Sequence, residues 1–140
     1  MTSEALANLV KIGQLKMEPP DQREFEAMLV GGRRALLDAK VEGLSGEGRF
    51  SLAYQAAHLL ALAALRWHGF RSESRYLVFQ CLQHTLALDA AEWRLFAVCH
   101  QHRNLAEYEG QMVVPPRLIE ELVAAVESLL PRLEALGPVG

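Results

Sequence analysis

The chain has 140 residues and a net charge of −3, and hydrophobic residues make up 51% of it. This length is typical of one domain with a real hydrophobic core, and the hydrophobic content lies near the upper end for soluble globular proteins. The charge excludes a broad basic surface for nucleic acid but leaves room for a local basic patch. Cys81 and Cys99 lie in apolar stretches without paired spacing, so we expect buried thiols in a reducing compartment.

Neither a targeting segment nor a membrane-spanning segment is predicted. Residues 1–14 lack the basic start and the unbroken apolar run of a signal peptide. The longest apolar-rich run, residues 52–67, is too short to span a bilayer and contains Gln55, His58 and Arg66. We therefore expect a cytoplasmic protein without a membrane partner.

A proline break separates the first two predicted helices. Ser3–Gln14 predicts a short amphipathic helix, and Lys16–Pro20 interrupts it because two prolines cannot continue a helix. Asp21 then begins a second helix that runs to about Val41. Glu24, three residues after Asp21, completes a capping-box pattern.

Glycines interrupt the second helix and precede the third. Gly31 and Gly32 lie in the middle of the second helix, where they cost roughly 2 kcal/mol relative to alanines, so we expect close packing or a bend. After a glycine-rich loop at 44–48, a third helix is predicted from Arg49 to His68. It is apolar almost all round, which is typical of a helix at the centre of a bundle or shared with a partner subunit.

The next two predicted helices differ in how sharply the sequence marks their ends. The fourth runs from residue 72 to about 86. The fifth covers residues 90–109, begins with a capping box formed by Asp89 and Glu92, and ends at Gly110 as its C-cap.

The sixth predicted helix has the cleanest amphipathic pattern. It starts at Pro115 or Pro116, and Pro131 kinks or ends it. We expect residues 137–140 to form a frayed tail. Its apolar residues repeat at intervals of three and four: Ile119, Leu122, Val123, Val126, Leu130 and Leu133.

These elements predict one all-α domain over residues 1–140, an up-and-down bundle of five to six helices. Residues 1–18 form its short N-terminal helix and linker. There is no alternating strand pattern and no hairpin signal. The high apolar content and the apolar third helix favour a homodimer, because they ask for more burial than one small bundle offers.

The C-terminal half of the fifth helix carries polar residues that ordinary helix surface does not explain. His100, Asn104 and Tyr108 follow one another at intervals of four. Arg103 and Glu107 form the neighbouring stripe. One side of the helix therefore carries an imidazole, an amide, a phenol, a cation and a carboxylate, which makes it the candidate functional site.

An all-α bundle with Arg-Asn near the end of a helix resembles the HEPN superfamily, and the predicted layout fits over most of the chain. Ribonuclease members of that family carry Arg and, a few residues later, His, often with a polar residue directly after the Arg. Arg103 and Asn104 match this pattern, but Tyr108 holds the place of the histidine. Arg94 and His100 have the literal spacing, yet an apolar residue follows Arg94, so we treat that register as coincidence.

The resemblance implies metal-independent chemistry on RNA, with a histidine moving protons at the 2′-hydroxyl and an arginine on the phosphate. Arg103 would hold the phosphate, since a guanidinium matches phosphate oxygens bidentately. Tyr108 is a poor substitute for imidazole, because the pKa of a phenol is ordinarily about 10. His100 and His102 are the candidates for the missing imidazole.

Two functional hypotheses follow. The first is a non-catalytic HEPN-like binding module, associated with RNA or with a nucleotidyltransferase-type protein in a toxin–antitoxin-like pair, and Tyr108 favours it. The alternative is a metal-independent endoribonuclease, with Arg103 and either Tyr108 or His100 as catalytic residues in a cleft of a homodimer. We expect no metal, no cofactor and no DNA partner. Three further residues would line the cleft or bind RNA: Asn104, Glu107 and His102.

A structural interpretation of the same residues competes with both hypotheses, and we place it slightly ahead of catalysis. Arg103 and Glu107 have the spacing of a surface ion pair. His58 lies among apolar residues and is typical of a core histidine. Further arginines would form a phosphate groove only beside Arg103, and a solvated turn is the favoured interpretation for them: Arg66, Arg71 and Arg75.

Overall fold

The protein is an all-α helical bundle, as predicted. The computed structural model describes residues 2–110 and 114–140, without the side chains of 2–3 and 107–109. A two-residue antiparallel pair, β1 (Lys16–Met17) with β2 (Phe70–Arg71), accompanies the helices. The helices are α1 (Thr2–Lys11), α2 (Gln22–Ala39), α3 (Gly46–Trp67), α4 (Arg75–Gln80), α5 (Leu82–Thr85), α6 (Ala90–Glu109) and α7 (Pro116–Glu134).

Helix α3 is the centre of the bundle, which confirms the prediction from its apolar composition. It packs against α2, α4, α5, α6 and α7. Its small residues let these helices approach closely, and its larger apolar side chains fill the space between them. The buried residues of α3 cover most of its circumference, and a stripe that includes Ser51, Gln55 and His58 is exposed or half-buried. The buried residues are Phe50, Ala53, Tyr54, Ala56, Ala57, Leu60, Ala61, Ala63, Ala64, Leu65 and Arg66.

The glycine pair of α2 serves close packing, as predicted. A Cβ atom built on Gly32 would lie 2.6 Å from Leu60 Cδ2 of α3, far inside van der Waals contact. A Cβ on Gly31 would meet Leu59 Cδ1 at 3.4 Å, an ordinary contact. Only Gly32 is therefore required for the approach of the two helices.

Several predicted helix boundaries were wrong. Helix α1 ends at Lys11 and not at Gln14, and α4 begins at Arg75, after its N-cap Ser74, and not at residue 72. Helix α3 begins at Gly46 and not at Arg49, because the Ser45 side chain accepts a hydrogen bond from Gly48 N and draws the glycines into the first turn. The predicted fourth helix is split into α4 and α5 at Cys81. There His84 N donates to Cys81 O over 2.8 Å, a tighter turn than that of an α-helix.

The turn after α3 is held by a buried arginine, contrary to the prediction of a solvated turn. Arg66 is 2% exposed and donates to Glu24 Oε1 at 2.6 Å, to Pro19 O at 2.8 Å and to Glu18 O at 2.9 Å. Arg71 bridges the same two carboxylates, at 3.0 Å from Glu18 and 2.6 Å from Glu24. The predicted capping box of Asp21 and Glu24 was therefore wrong in its second half: Asp21 accepts from Glu24 N, whereas the Glu24 carboxylate binds the two arginines.

The ends of α6 agree with their sequence signals. Asp89 and Glu92 form the predicted reciprocal capping box. Gly110 adopts a left-handed conformation with φ 71° as the C-cap. In α7, Pro131 lies inside the helix, which continues to residue 134. Both cysteines are buried, as predicted: burial raises the pKa of Cys81 to about 11, and burial with nearby Glu121 raises that of Cys99 to about 12.

The last four residues make two hydrogen bonds to the bundle, and Val139 packs against the core. Trp67 Nε1 donates to Gly137 O over 3.1 Å, and Val139 N donates to Gln22 Oε1 over 2.6 Å. The frayed tail that the sequence suggested stays a prediction about motion.

Candidate functional site

A chain of hydrogen bonds links α3 to the polar stripe of α6. Tyr54 Oη lies 2.8 Å from His100 Nδ1, and Asn104 Nδ2 lies 3.2 Å from His100 Nε2. Because the Asn104 amide nitrogen can only donate, its contact fits the imidazole tautomer in which Nε2 accepts and Nδ1 donates to Tyr54 Oη. The imidazole is therefore fixed at both of its nitrogen atoms.

Aromatic packing sets the position of this chain. Tyr54 is 2% exposed, and its ring packs on Phe50 with 6.3 Å between centroids and edge-on to Phe79 at 5.9 Å. Phe79 in turn stacks on Phe96 of α6 at 5.6 Å. The hydroxyl of Tyr54 is the polar end of a large apolar side chain, and it finds its partner in His100.

Two arginines from different helices meet at the Tyr54 ring. The guanidinium carbon of Arg103, on α6, lies 5.1 Å from the ring centroid. That of Arg75, the first residue of α4, lies 5.7 Å from the same centroid. Both distances are within the range of a cation–π contact, so the electron-rich ring draws the two cations to one place.

These arginines line a polar cavity of about 510 Å³, which we name the arginine pocket. It lies among α3, α4 and α6. None of the described residues that line it is acidic. The lining residues are Ser51, Tyr54, Gln55, His58, Leu59, Arg75 and Arg103.

His58 supplies a neutral imidazole to the arginine pocket. It is half-buried and packs edge-on against Phe79 at 6.1 Å. Burial and, after it, the positive charges of Arg75 and Arg103, together with His100, lower the pKa of His58 from the ordinary 6.5 to about 4. The interpretation of His58 as a core histidine was therefore incomplete, because this side chain also reaches the pocket.

A second and more apolar cavity, of about 610 Å³, lies beside the first on α4 and α6, and we name it the tryptophan pocket. Trp93 forms one wall, and the Arg94 guanidinium carbon lies 5.7 Å from the centroid of the Trp93 ring. The lining residues are Tyr76, Trp93, Arg94, Ala97, Val98, His100, Gln101 and Asn104.

The structure brings together three of the six predicted site residues: His100 and Asn104 by a direct hydrogen bond, and Arg103 with His100 around Tyr54. His102 is half-buried and is absent from the described lining of both pockets. The side chains of Glu107 and Tyr108 lie outside the described residues. The predicted Arg103–Glu107 pair and any role of Tyr108 therefore stay predictions.

Sequence reasoning missed Tyr54 and His58, and it joined Arg75 to the wrong group. Arg75 lies by Arg103, whereas Arg66 and Arg71 belong to the carboxylate network at the end of α3. The available signal was the spacing of Tyr54 and His58, four residues apart on an otherwise apolar helix.

Metal and membrane features are absent from the part of the chain that the structure describes. No group of three or more His, Cys, Asp or Glu side chains there is arranged to hold a metal ion. Among the same residues, no helix combines the length and the apolar character needed to cross a bilayer. No protein-family model, curated protein or solved structure matches the chain.

Proposed function

We propose that the protein is a non-catalytic RNA-binding module whose arginine pocket holds a backbone phosphate. The observation that carries the proposal is the convergence of Arg75 and Arg103 on one ring, at 5.7 Å and 5.1 Å from the Tyr54 centroid, in the lining of one cavity. Two guanidinium groups in one pocket form a usual site for a phosphate, since each presents paired donors to its oxygens.

The electrostatics of the pocket supports an anionic ligand. The two arginines help to lower the pKa of His58, which indicates a positive potential where that imidazole lies. The chain as a whole is acidic, with a net charge of −3, so binding must be local and limited to a few phosphates. Ser51, Gln55 and His58 supply donors and acceptors beside the arginines for a ribose 2′-hydroxyl, which favours RNA over DNA.

Binding of a labelled single-stranded RNA, followed by fluorescence anisotropy across salt concentrations, tests the proposal. Arg75→Gln and Arg103→Gln should each weaken binding by roughly tenfold and reduce the slope of log K against log salt by about 1, because each removes a phosphate contact. Arg117→Gln removes the same charge from a side chain that is 92% exposed and pairs with Glu121 one turn away, so it is the matched control.

Wild-type protein that fails to bind RNA, or Arg75 and Arg103 variants that bind no worse than Arg117→Gln, would refute this function. Circular dichroism of each variant should show an unchanged helix content, because both arginines are only half-buried.

A metal-independent endoribonuclease is the second candidate, and the position of His58 in one cavity with Arg75 and Arg103 favours it. A base with both arginines in the same cavity has the groups that 2′-hydroxyl activation and phosphate stabilisation require. RNA cleavage in EDTA by wild type, His58→Gln, His100→Gln and Tyr108→Phe decides the point. If cleavage is lost in His58→Gln alone, His58 is the general base. If wild type leaves the RNA intact, the nuclease is refuted and the binding module is the remaining function.

The remaining expectations from the sequence and from the HEPN resemblance are part of this proposal. We expect a cytoplasmic homodimer, with a nucleotidyltransferase-type protein as a candidate partner. Light scattering of the purified protein measures the oligomeric state. A monomer at micromolar concentration would refute the homodimer and the cleft shared between its subunits.

A further inference from the structure

The tryptophan pocket has the features of a site for a flat, partly apolar ring. Its wall contains the Trp93 and Tyr76 rings, whose centroids are 6.3 Å apart at an interplanar angle of 79°. Ala97 and Val98 add apolar surface, and Val98 is 43% exposed. The polar groups of Arg94, Gln101 and Asn104 also line the cavity, as polar groups do in sites that orient a ligand.

The two pockets adjoin through consecutive residues of the same helices. On α4, Arg75 lines the arginine pocket and its neighbour Tyr76 lines the tryptophan pocket. On α6, Arg103 lines the arginine pocket and its neighbour Asn104 lines the tryptophan pocket. His100 lies between them, because its Nδ1 is bonded to Tyr54 in one lining and its Nε2 to Asn104 in the other. A ligand with an anionic group beside a flat ring can therefore reach both pockets.

We infer that the tryptophan pocket accepts one unstacked base of a single-stranded RNA whose phosphate lies in the arginine pocket. This inference rests on the proposed function and adds its substrate class. A base has a π-face for the aromatic wall, where Tyr76 is 47% exposed and Trp93 7%, and it has polar edges for the polar groups of the lining. A duplex cannot occupy the site, since its bases are stacked and their edges are paired.

The affinities of three ligands of about ten nucleotides distinguish the contribution of the base from that of the phosphate. The ligands are a single-stranded RNA, its blunt duplex, and the same ribose-phosphate chain without bases. Wild type should bind the single strand at least about fivefold more tightly than the other two, because base stacking on an aromatic side chain contributes at this level per base. Trp93 reports occupancy directly in a Trp67→Phe background, where it is the sole tryptophan, and its fluorescence should change with the single strand only.

Val98→Asp tests the pocket by placing a carboxylate in its lining. Leu105→Asp is the matched control, because Leu105 is 48% exposed on the same helix and belongs to the described lining of neither pocket. Val98→Asp should abolish the preference for the single strand, and Leu105→Asp should retain it. Both positions are exposed, so both variants should fold.

The outcomes distinguish the base site in the tryptophan pocket from the phosphate site in the arginine pocket. Arginine-dependent binding that is equal for single strand, duplex and base-free chain overturns the base site and leaves the phosphate site standing. Equal effects of Val98→Asp and Leu105→Asp also overturn the base site. Absence of RNA binding by wild type overturns the proposed function and this inference together.

Discussion

Tyr54 organises the candidate site at the scale of single residues. Its hydroxyl holds His100, and its ring contacts the guanidinium groups of Arg75 and Arg103. Because the ring is buried, these polar groups are gathered at the edge of the core and not spread over the surface. Burial and, after it, the same cations lower the pKa of His58, so a change in the charge of the pocket should shift that pKa.

The pKa of His58 is the most direct readout of that charge. It should be about 4 in an NMR titration of the free protein, against the ordinary 6.5, because burial and the nearby cations disfavour the imidazolium. An anion beside Arg75 and Arg103 should raise it. The groups that act on His58 are Arg75, Arg103 and His100, and a free-protein value near 6.5 would contradict the described pocket.

The sign of the accompanying stability change follows from proton linkage. Between pH 6.5 and about 4 the unfolded chain binds a proton at His58 that the folded protein does not bind. The contribution of His58 to stability is therefore complete above pH 6.5 and falls as the pH drops to about 4. Thermal unfolding should show a smaller loss of Tm on acidification for His58→Gln than for wild type, and equal losses would argue against the lowered pKa.

The buried guanidinium of Arg66 stabilises the fold by donating to a carboxylate and to backbone carbonyls around it. Arg66→Met should lower the free energy of unfolding by about 3 kcal/mol, because Glu24 and the accepting carbonyls lose their common donor. Arg33→Met is the matched control, since Arg33 and Glu134 are 3.7 Å apart and both largely exposed, a pair that contributes less than about 1 kcal/mol. Urea unfolding measures both, and similar losses would contradict the role of Arg66.

At the scale of helices, the contact between α2 and α3 determines how the core is built. Gly32 lets the backbone of α2 approach Leu60, which is fully buried. This contact brings α2 onto the helix that also carries Tyr54 and His58. The close packing of α2 on α3 thus supports the helix that provides the site.

Alanine substitutions at the two glycines should have opposite effects. Gly32→Ala should destabilise the protein by about 1–2 kcal/mol, because overpacking against Leu60 outweighs the gain in helix propensity. Gly31→Ala should be neutral or stabilising, since its added methyl makes an ordinary contact with Leu59. Chemical denaturation of the pair tests this, and equal effects would show that the glycines are not distinguished by packing.

Across the whole molecule, helix caps that depend on residues within one turn were largely predictable from the sequence, and contacts between distant residues were not. The capping box of Asp89 and Glu92 and the C-cap at Gly110 depend on neighbours within one turn, and both were predicted correctly. The start of α3 was predicted wrongly because Gly46 and Gly48 have a low helix propensity, which argues against a helix there. The hydrogen bond from Gly48 N to the Ser45 side chain caps the helix in spite of this propensity.

The candidate site was predictable only where it lies on one helix. His100 and Asn104 are four residues apart on α6, and their contact follows from helix geometry. Tyr54 and His100 are 46 residues apart, and only the packing of α3 against α6 brings them together. Arg75 was grouped with Arg66 and Arg71 by sequence proximity, whereas the fold places it at the Tyr54 ring, in one cavity with Arg103.

The measurement that tests the account most directly is a double-mutant cycle on RNA affinity with Arg75→Gln, Arg103→Gln and both together. If the two arginines hold one phosphate, each single variant loses most of the affinity, and the double variant loses less than the two single losses combined. Full additivity would place the arginines on separate contacts. Affinities equal to that of the Arg117→Gln control would contradict the phosphate pocket itself.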